Sequence, residues 1–356
     1  MNDKYIYSIG LMSGTSLDGL DIVYVKFHKK DYSDFEIIHS NTIKYSEFWE
    51  VRLKNSIHLD TELLSVLDYD YGQYLGNKTQ EFISKNKITS LDFIASHGHT
   101  VLHQPDKGIT FQVGDGQQIY NITKSTTVSD FRTQDVQLGG QGAPLVPIGD
   151  RILFSEYEAC LNLGGFANIS YEYGDKRIAF DICPVNIVMN YYCKKIGLDF
   201  DDKGVIASKG TVHEGLLEDL NSLDYYLKKP PKSLGLEWVC QFVYPLLDDY
   251  NLDVEDVLRT FIEHIAQQIS IIIHPFNNVL FTGGGVYNNF LLKRIQIHSN
   301  TQIILPLDDI INYKEALIFS LLGVLKIHDK INCLSSVTGA KINHSSGKIF
   351  NQNISD

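Results

Sequence analysis

Paired cysteines, basic clusters and long apolar runs are all missing from this chain. Its five cysteines, Cys160, Cys183, Cys193, Cys240 and Cys333, are odd in number and never spaced as C-x-x-C. Neither a disulfide framework nor a zinc site is therefore expected. No apolar run reaches the roughly 18 residues that a membrane-spanning helix needs, so no membrane partner is expected. The net charge of −12 argues against nucleic acid and anionic membranes alike. The densest basic run, Lys228-Lys229-Pro230-Pro231-Lys232, reads as a solvated loop. The opening MNDKYIYSIG has neither the charged nor the apolar region of a signal peptide, and a reducing cytoplasm is the expected location. Linkers rich in Pro, Gly and Ser are absent, and so is the Gly-Lys-Ser/Thr of a Walker A loop. The 356 residues are 44% hydrophobic and 21% charged, which predicts a globular chain of two domains.

What is present is an alternation of β-like and helical segments. Runs at 5–10, 20–28 and 34–44 read as strands. Residues 61–85 read as a helix, with Leu63, Leu64, Leu67, Tyr71 and Leu75 at helical spacing. Residues 91–96 read as a buried strand running into His97-Gly98-His99, and 126–129 as a short strand before Asp130-Phe131-Arg132. The Gly-rich stretch from Leu138 to Pro147 breaks regular structure. A domain boundary is expected there, giving domains 1–147 and 148–356, with the C-terminal segment free to pack back on the first. Strands are expected again at 159–163, 169–173 and 178–181. Pro184 suits the first turn of a helix running to about Lys195. Further helices are expected at 255–274, from 289 onward and at 315–327, with a strand at 279–282. A β-rich opening followed by helices in each half predicts an α/β fold.

The densest small-residue cluster is Gly10-Leu11-Met12-Ser13-Gly14-Thr15-Ser16-Leu17-Asp18-Gly19-Leu20-Asp21. It joins two strand-like runs, so it reads as a hairpin whose tip offers N–H and hydroxyl donors to a phosphate chain. Asp18 and Asp21 add carboxylates for a hydrated Mg²⁺. An ordinary polar hairpin has the same composition. Asn162 to Asn168, with Gly164 and Gly165, echoes this pattern in the second half. Two such tips across a cleft would face one ligand, although a tight turn is the plainer reading. Gly283, Gly284 and Gly285 lie between a strand and a helix and bare the backbone for adenine or ribose. Asp181 ends a strand, where α/β domains place ligand-facing carboxylates. It suits a general base and a helix N-cap equally. His97, His99 and His103 lack a well-spaced carboxylate, which favours substrate hydrogen bonding or packing over metal. Arg132 suits either a bidentate carboxylate grip or a surface ion pair. Cys183 has no His and Asn/Asp partners and reads as a buried thiol.

Taken together, these segments resemble the anhydro-N-acetylmuramic acid kinases, of the sugar kinase/actin/heat-shock chaperone ATPase superfamily. The matching stretches are GLMSGTSLDGLD (10–21), SHGHT (96–100), QVGD (112–115), DFR (130–132), GGQGAPLVP (139–147), LNLGGFANIS (161–170), FDICPVN (180–186), GGG with YN (283–288), EA (315–316) and SSVTGA (335–340). The resemblance implies a two-domain ribonuclease-H-like fold with an interdomain cleft. It implies ATP-dependent opening of the 1,6-anhydro ring, with water adding at the anomeric carbon and O6 taking the γ-phosphate. Asp181 would be the base. Residues 14–21 (Gly14, Thr15, Ser16, Leu17, Asp18, Gly19, Leu20 and Asp21) would bind ATP phosphates, with Mg²⁺ near Asp18 or Asp21. Gly164 and Gly165 would form a second phosphate loop, and Gly283, Gly284, Gly285 and Asn288 would bind the rest of ATP. Sugar contacts are implied for His97, Asp130, Arg132, Asn186 and Glu315. A homodimer is implied as well.

The chain departs from the family pattern at three places. Around the base the usual Phe-Asp-Thr-Gly-Pro-Gly-Asn is Phe180-Asp181-Ile182-Cys183-Pro184-Val185-Asn186. Side chains thus stand where a hydroxyl and bare backbone let a ligand approach. The usual Ser-His-Gly-Gln-Thr carries His99 in place of Gln. The usual Pro-Lys-Ser-Thr-Gly-Arg is Pro231-Lys232-Ser233-Leu234-Gly235-Leu236. Two other readings therefore stand beside the anhydro-sugar kinase: a kinase for a different anhydro or amino sugar, and a nucleotide-binding regulator that has lost catalysis.

Overall fold

The computed structural model describes residues 4–14 and 17–352. The chain opens with β1 (Tyr5–Ser13), β2 (Leu20–His28) and β3 (Asp31–Ile43), each antiparallel to the one before. After α1 (Glu47–Lys54) comes α2 (Thr61–Lys85), whose first turn is capped by the Asp60 carboxylate accepting from the Leu63 N–H at 2.9 Å. β4 (Phe93–Gln104) runs past the expected end at Ser96 because β5 (Ile109–Val113) folds back and pairs with it. His97, His99 and His103 therefore lie within a strand. Next come α3 (Gly116–Thr123), β6 (Thr127–Ser129), α4 (Thr133–Gln137) and α5 (Val146–Leu153).

The middle of the chain repeats the opening. β7 (Ala159–Leu163), β8 (Phe166–Tyr173) and β9 (Lys176–Pro184) form a second antiparallel meander. Pro184 closes β9, and α6 (Asn186–Lys195) starts after it, because Phe166 holds Pro184 in the ladder. The helices α7 (Glu214–Asn221), α8 (Asp224–Leu227), α9 (Leu236–Trp238) and α10 (Tyr244–Asp249) precede α11 (Val254–Ile273). Then follow β10 (Asn278–Thr282), α12 (Asn289–His298), β11 (Gln302–Ile304), α13 (Asp308–Ile327), α14 (Ser335–Thr338) and β12 (Lys348–Phe350).

Two compact units result, one of residues 1–155 with 313–356 and one of 156–312. The boundary expected at residue 147 falls at the start of α5, which stays with the first unit. Its Gly149 packs on Ile318, and Asp150 takes an ion pair from Lys314 at 2.8 Å. The break in regular structure expected at 138–147 is a loop of residues 138–145, inside a unit.

Each unit carries its own sheet. The second runs β9-β8-β7-β10-β11, with β10 parallel to β7 and β11 parallel to β10. The first contains the same series, β3-β2-β1-β4-β6, with β4 parallel to β1 and β6 parallel to β4; β12 and β5 are additions. An antiparallel meander extended by parallel strands in the order 3-2-1-4-5 is the ribonuclease-H-like arrangement. The echo between residues 14 and 164 is thus a repeat of position: both tips join the first two strands of their sheets.

The cores follow from the alternation of apolar residues. Ile9, Leu11, Leu20 and Ile22 pack with Leu67, Tyr71 and Leu75 of α2 in the first unit. Leu161, Leu163 and Phe281 pack with Phe261, Ile265 and Ile269 of α11 in the second. Each such buried aliphatic side chain contributes about 1.5–3 kcal/mol, which fixes the strand ends from which the polar residues project.

Candidate functional site

The tip of the first hairpin leaves β1 at Gly14 and re-enters β2 at Leu20. Thr15 and Ser16 lie outside the described residues. Leu17 takes a positive φ of 61° and its N–H donates to the Gly14 carbonyl at 3.3 Å, closing the turn. Leu20 sends its side chain into the core, so its backbone alone is available to a ligand. Asp18 is exposed and Asp21 half-buried. Asp21 accepts from the Thr42 hydroxyl at 2.6 Å. Burial raises the Asp21 carboxyl to about 6; the Thr42 bond opposes this, and Glu315 and Asp18 add like-charge repulsion. Asp18, Asp21 and Glu315 thus bring three carboxylates within mutual influence, with the Arg132 and Lys314 charges acting on Glu315. They are not a closed metal cage: among the described residues the group with three converging donor atoms is Asp135, Cys333 and His344.

The histidines of β4 have separate tasks. His97 Nδ1 sits 2.9 Å from the Gly98 carbonyl, so it carries the proton. Its Nε2 then accepts from Arg132 Nε at 3.0 Å and lies 2.9 Å from Nη2. Burial, with the Arg132 charge beside it, holds His97 well below its ordinary pKa, hence neutral. With both nitrogens engaged, His97 holds Arg132 in place. Arg132 Nη1 donates to the Gly142 carbonyl at 2.6 Å. Of its five N–H donors, three are thus engaged and two remain for a ligand. Burial lowers Arg132 to about 10, which leaves it charged at neutral pH.

His99 Nδ1 lies 2.9 Å from Ser13 Oγ, which accepts from Tyr45 OH at 2.7 Å; Tyr45 OH is 2.5 Å from Tyr71 OH. Burial lowers His99 to about 4, so its ring is neutral. His103 is exposed and bonded to Thr110 at 3.2 Å. Asp130 adopts a positive φ of 56°, a strained conformation for a residue with a Cβ. Its Oδ2 pairs with Lys348 at 2.7 Å. Glu315 is exposed on α13.

In the second unit, the carbonyls of Gly164 and Gly165 accept the first N–H groups of α6, from Asn186 at 3.3 Å and Val185 at 2.8 Å. The hairpin tip and the helix start are locked together, with Gly165 exposed. Gly283 adopts a φ of +84°, and a Cβ there would stand 2.5 Å from Asn162 Oδ1. A Cβ on Gly285 would stand 2.8 Å from the Leu163 side chain. Both glycines are demanded by close packing on β7. Gly284 alone faces open space. Asn288 spends its Oδ1 on the Leu291 N–H at 2.9 Å as the cap of α12. Asn186 is half-buried beside Gly285.

Asp181 lies on β9, half-buried. Its Oδ2 accepts from the Leu234 N–H at 2.8 Å, and its backbone carbonyl accepts from Tyr225 OH at 2.6 Å. Burial raises the carboxyl above the ordinary 3.8, and the Leu234 bond opposes the shift. One oxygen is held and the other is free, the arrangement a general base requires. Asp181 does not cap α6; Val185 takes that place, without a side-chain bond. Ile182, Cys183 and Val185 belong to the hydrophobic core. The departures around the base therefore fill core space. Leu234 replaces a threonine, yet the contact to Asp181 is made by its main chain, so the lost hydroxyl is not needed for it.

Sequence reasoning missed Thr42, Tyr45, Tyr225 and Leu234. The last had no signal to find, since any residue except proline supplies a backbone N–H.

The chain matches a family model described as anhydro-N-acetylmuramic acid kinase over residues 6–352. It is 33% identical to a protein of that name from Francisella tularensis subsp. novicida, covering 95% of this chain and 97% of the relative. A Vibrio parahaemolyticus protein of the same name is 33% identical over 99% of both chains. Among solved structures, gluconate kinase from Lactobacillus acidophilus aligns with a TM-score of 0.44 at 12% identity, over 98% of this chain and 94% of that one.

Proposed function

The chain belongs to the anhydro-N-acetylmuramic acid kinase family, and from that premise we propose how its own residues carry the reaction. It is an enzyme, an ATP-dependent phosphotransferase that hydrolytically opens 1,6-anhydro-N-acetylmuramic acid and phosphorylates O6, in cell-wall sugar recycling. The observation that carries the mechanism is the half-held carboxylate of Asp181.

Asp181 takes a proton from water as that water attacks the anomeric carbon. The C1–O6 bond breaks, and O6 accepts the γ-phosphoryl group, giving N-acetylmuramic acid 6-phosphate and ADP. Opening an acetal with one carboxylate resembles inverting glycoside hydrolysis, where a base activates water. The leaving oxygen here is captured by phosphorus, so no second acid is required. Arg132, fixed by His97 and Gly142, offers its two remaining donors to the sugar's carboxylate. Asp130, Asn186 and Glu315 supply further polar contacts to the sugar.

The tip of the first hairpin, residues 14–21, and the exposed Gly165 offer backbone N–H groups to the phosphates. Gly284 gives the nucleoside a surface without side chains. Asp18 and Asp21 would hold Mg²⁺, directly or through water. Bound there, Mg²⁺ neutralises phosphate charge, the main need of phosphoryl transfer. The intact cradle of Asp181 and the core placement of Ile182, Cys183 and Val185 favour an active enzyme over a regulator. Among the described residues no helix is long and apolar enough to cross a membrane. Five free thiols support a cytoplasmic location. A homodimer is the assembly we expect, readable by analytical ultracentrifugation.

The test is the reaction in ¹⁸O-labelled water with Mg²⁺-ATP. Label at the anomeric hydroxyl and phosphate on O6 are expected. Label in the phosphate, or an intact anhydro ring in the product, would contradict the mechanism.

A further inference from the structure

Two segments far apart in sequence meet in the first unit at Asp135, Cys333 and His344, all buried. Asp135 lies on α4, while Cys333 and His344 form an isolated antiparallel bridge in the C-terminal segment. The carboxylate Oδ1, the Cys333 Sγ and a His344 ring nitrogen all fall within 4.8 Å of one another.

The hydrogen bonds fix the state of each donor. His344 Nδ1 lies 3.1 Å from the Ile342 carbonyl, an acceptor only, so Nδ1 carries the proton. In the neutral ring Nε2 then presents a lone pair. It has no hydrogen-bond partner and points at Asp135 Oδ1, 3.6 Å away. Two lone pairs facing each other in a buried site call for a positive charge between them. A proton on Nε2 is one solution. The thiol at the third corner favours another, because thiolate, imidazole and carboxylate together are zinc donors, whereas Mg²⁺ and Ca²⁺ take oxygen. A ring whose other N–H is anchored on a backbone carbonyl is also the usual state of a metal-bound histidine.

We propose that Asp135, Cys333 and His344 bind one thiophilic divalent cation of the Zn²⁺ type. Cys333, which donates to Asp135 at 3.0 Å, gives up its S–H proton to solvent and binds through sulfur. Asp135 keeps the Gly142 N–H on Oδ2 at 2.7 Å, and Thr338, now 2.7 Å from Oδ1, supports the carboxylate from outside the ion. A water completes four-coordination. No redox change is involved. The cation ties the C-terminal segment to α4 and to Gly142, whose carbonyl holds Arg132. Spacing along the sequence hid the site, because its ligands come from positions 135, 333 and 344 with no C-x-x-C or H-x-H signature.

The test uses the full-length protein, stripped with a chelator and then freed of it. Co²⁺ is titrated as a spectroscopic probe, followed by Zn²⁺ as competitor. One equivalent of Co²⁺ should produce a thiolate-to-cobalt charge-transfer band in the near ultraviolet, which Zn²⁺ abolishes. Cys333→Ser should lose the band, and His344→Gln should weaken binding by about tenfold or more. Far-UV circular dichroism checks that both variants fold, and the wild-type titration decides the question even if one does not. No band from the wild type would overturn the proposal and assign the gap to a proton on His344. A band that survives Cys333→Ser would also overturn it, by placing the metal at another thiol such as the exposed Cys240.

Discussion

Asp181 combines a raised affinity for protons with a fixed orientation. A base works as the carboxylate, so kcat/KM must fall as pH drops through its folded pKa. Burial places that pKa above the ordinary 3.8, so the acid limb of the profile should lie above it. The Leu234 N–H favours the charged form; Leu234→Pro removes this donor and should move the limb to higher pH. Leu234→Ala keeps the N–H and should leave the limb in place. His97→Ala frees Arg132 from one of its holders and should raise KM for the sugar more than it lowers kcat. At this scale the sequence displayed the acidic and basic side chains well, because their chemistry is in their identity. It could not display main-chain donors or a histidine spent on an arginine. Those roles depend on which strand is beside which, as where Arg132 comes to lie on His97.

Elements are held by two kinds of contact. α13 crosses β1 so closely that a Cβ on Gly10 would stand 2.0 Å from the Ala316 carbonyl, with Ser8 and Ser320 hydroxyls 2.6 Å apart alongside. Gly10→Ala should therefore cost about 1–3 kcal/mol, the usual cost of overpacking, measured by denaturant unfolding. In the second unit, Glu263 of α11 accepts from Arg259, Arg294 and His298. Burial pushes Glu263 up, but the bonds from Arg294, Arg259 and His298 outweigh it and hold the carboxyl at about 2. A depressed carboxyl stabilises the fold above the unfolded value of 4.5, and that stability is lost as pH falls from 4.5 toward 2. Glu263→Gln should cost about 1.5–3 kcal/mol at neutral pH, since it removes the charged partner of the half-buried Arg259 and Arg294, and should flatten stability across that acid window. Strongly periodic elements such as α2 and β7 were legible from sequence to their ends. α13 begins at Asp308, before the expected 315, because Asp308, Asp309 and Asn312 mask its apolar stripe. Gly10 was read with the phosphate turn, whereas its requirement is helix packing.

For the whole molecule, the repeated 3-2-1-4-5 sheet explains why the two hairpin tips echo each other with little shared sequence. The echo was legible because strand–turn–strand patterns are local. The return of residues 313–356 to the first unit was left open, because long-range pairing such as β12 with β6 carries no local signal. All five strands of the second sheet lie within residues 156–312, so that fragment should fold alone with cooperative unfolding. A fragment of residues 1–155 lacks α13 and β12 and should not; circular dichroism and hydrogen exchange would check both. The central claim is that this chain is an ATP-dependent anhydro-sugar kinase whose base is Asp181. The most direct test is ADP release with Mg²⁺-ATP, with and without 1,6-anhydro-N-acetylmuramic acid, for the wild type and Asp181→Asn. Sugar-dependent release in the wild type, falling by about 10²–10⁴-fold in the variant with ATP binding retained, is the predicted result. Sugar-independent release in the wild type, or an Asp181→Asn variant that turns over like it, would contradict the account.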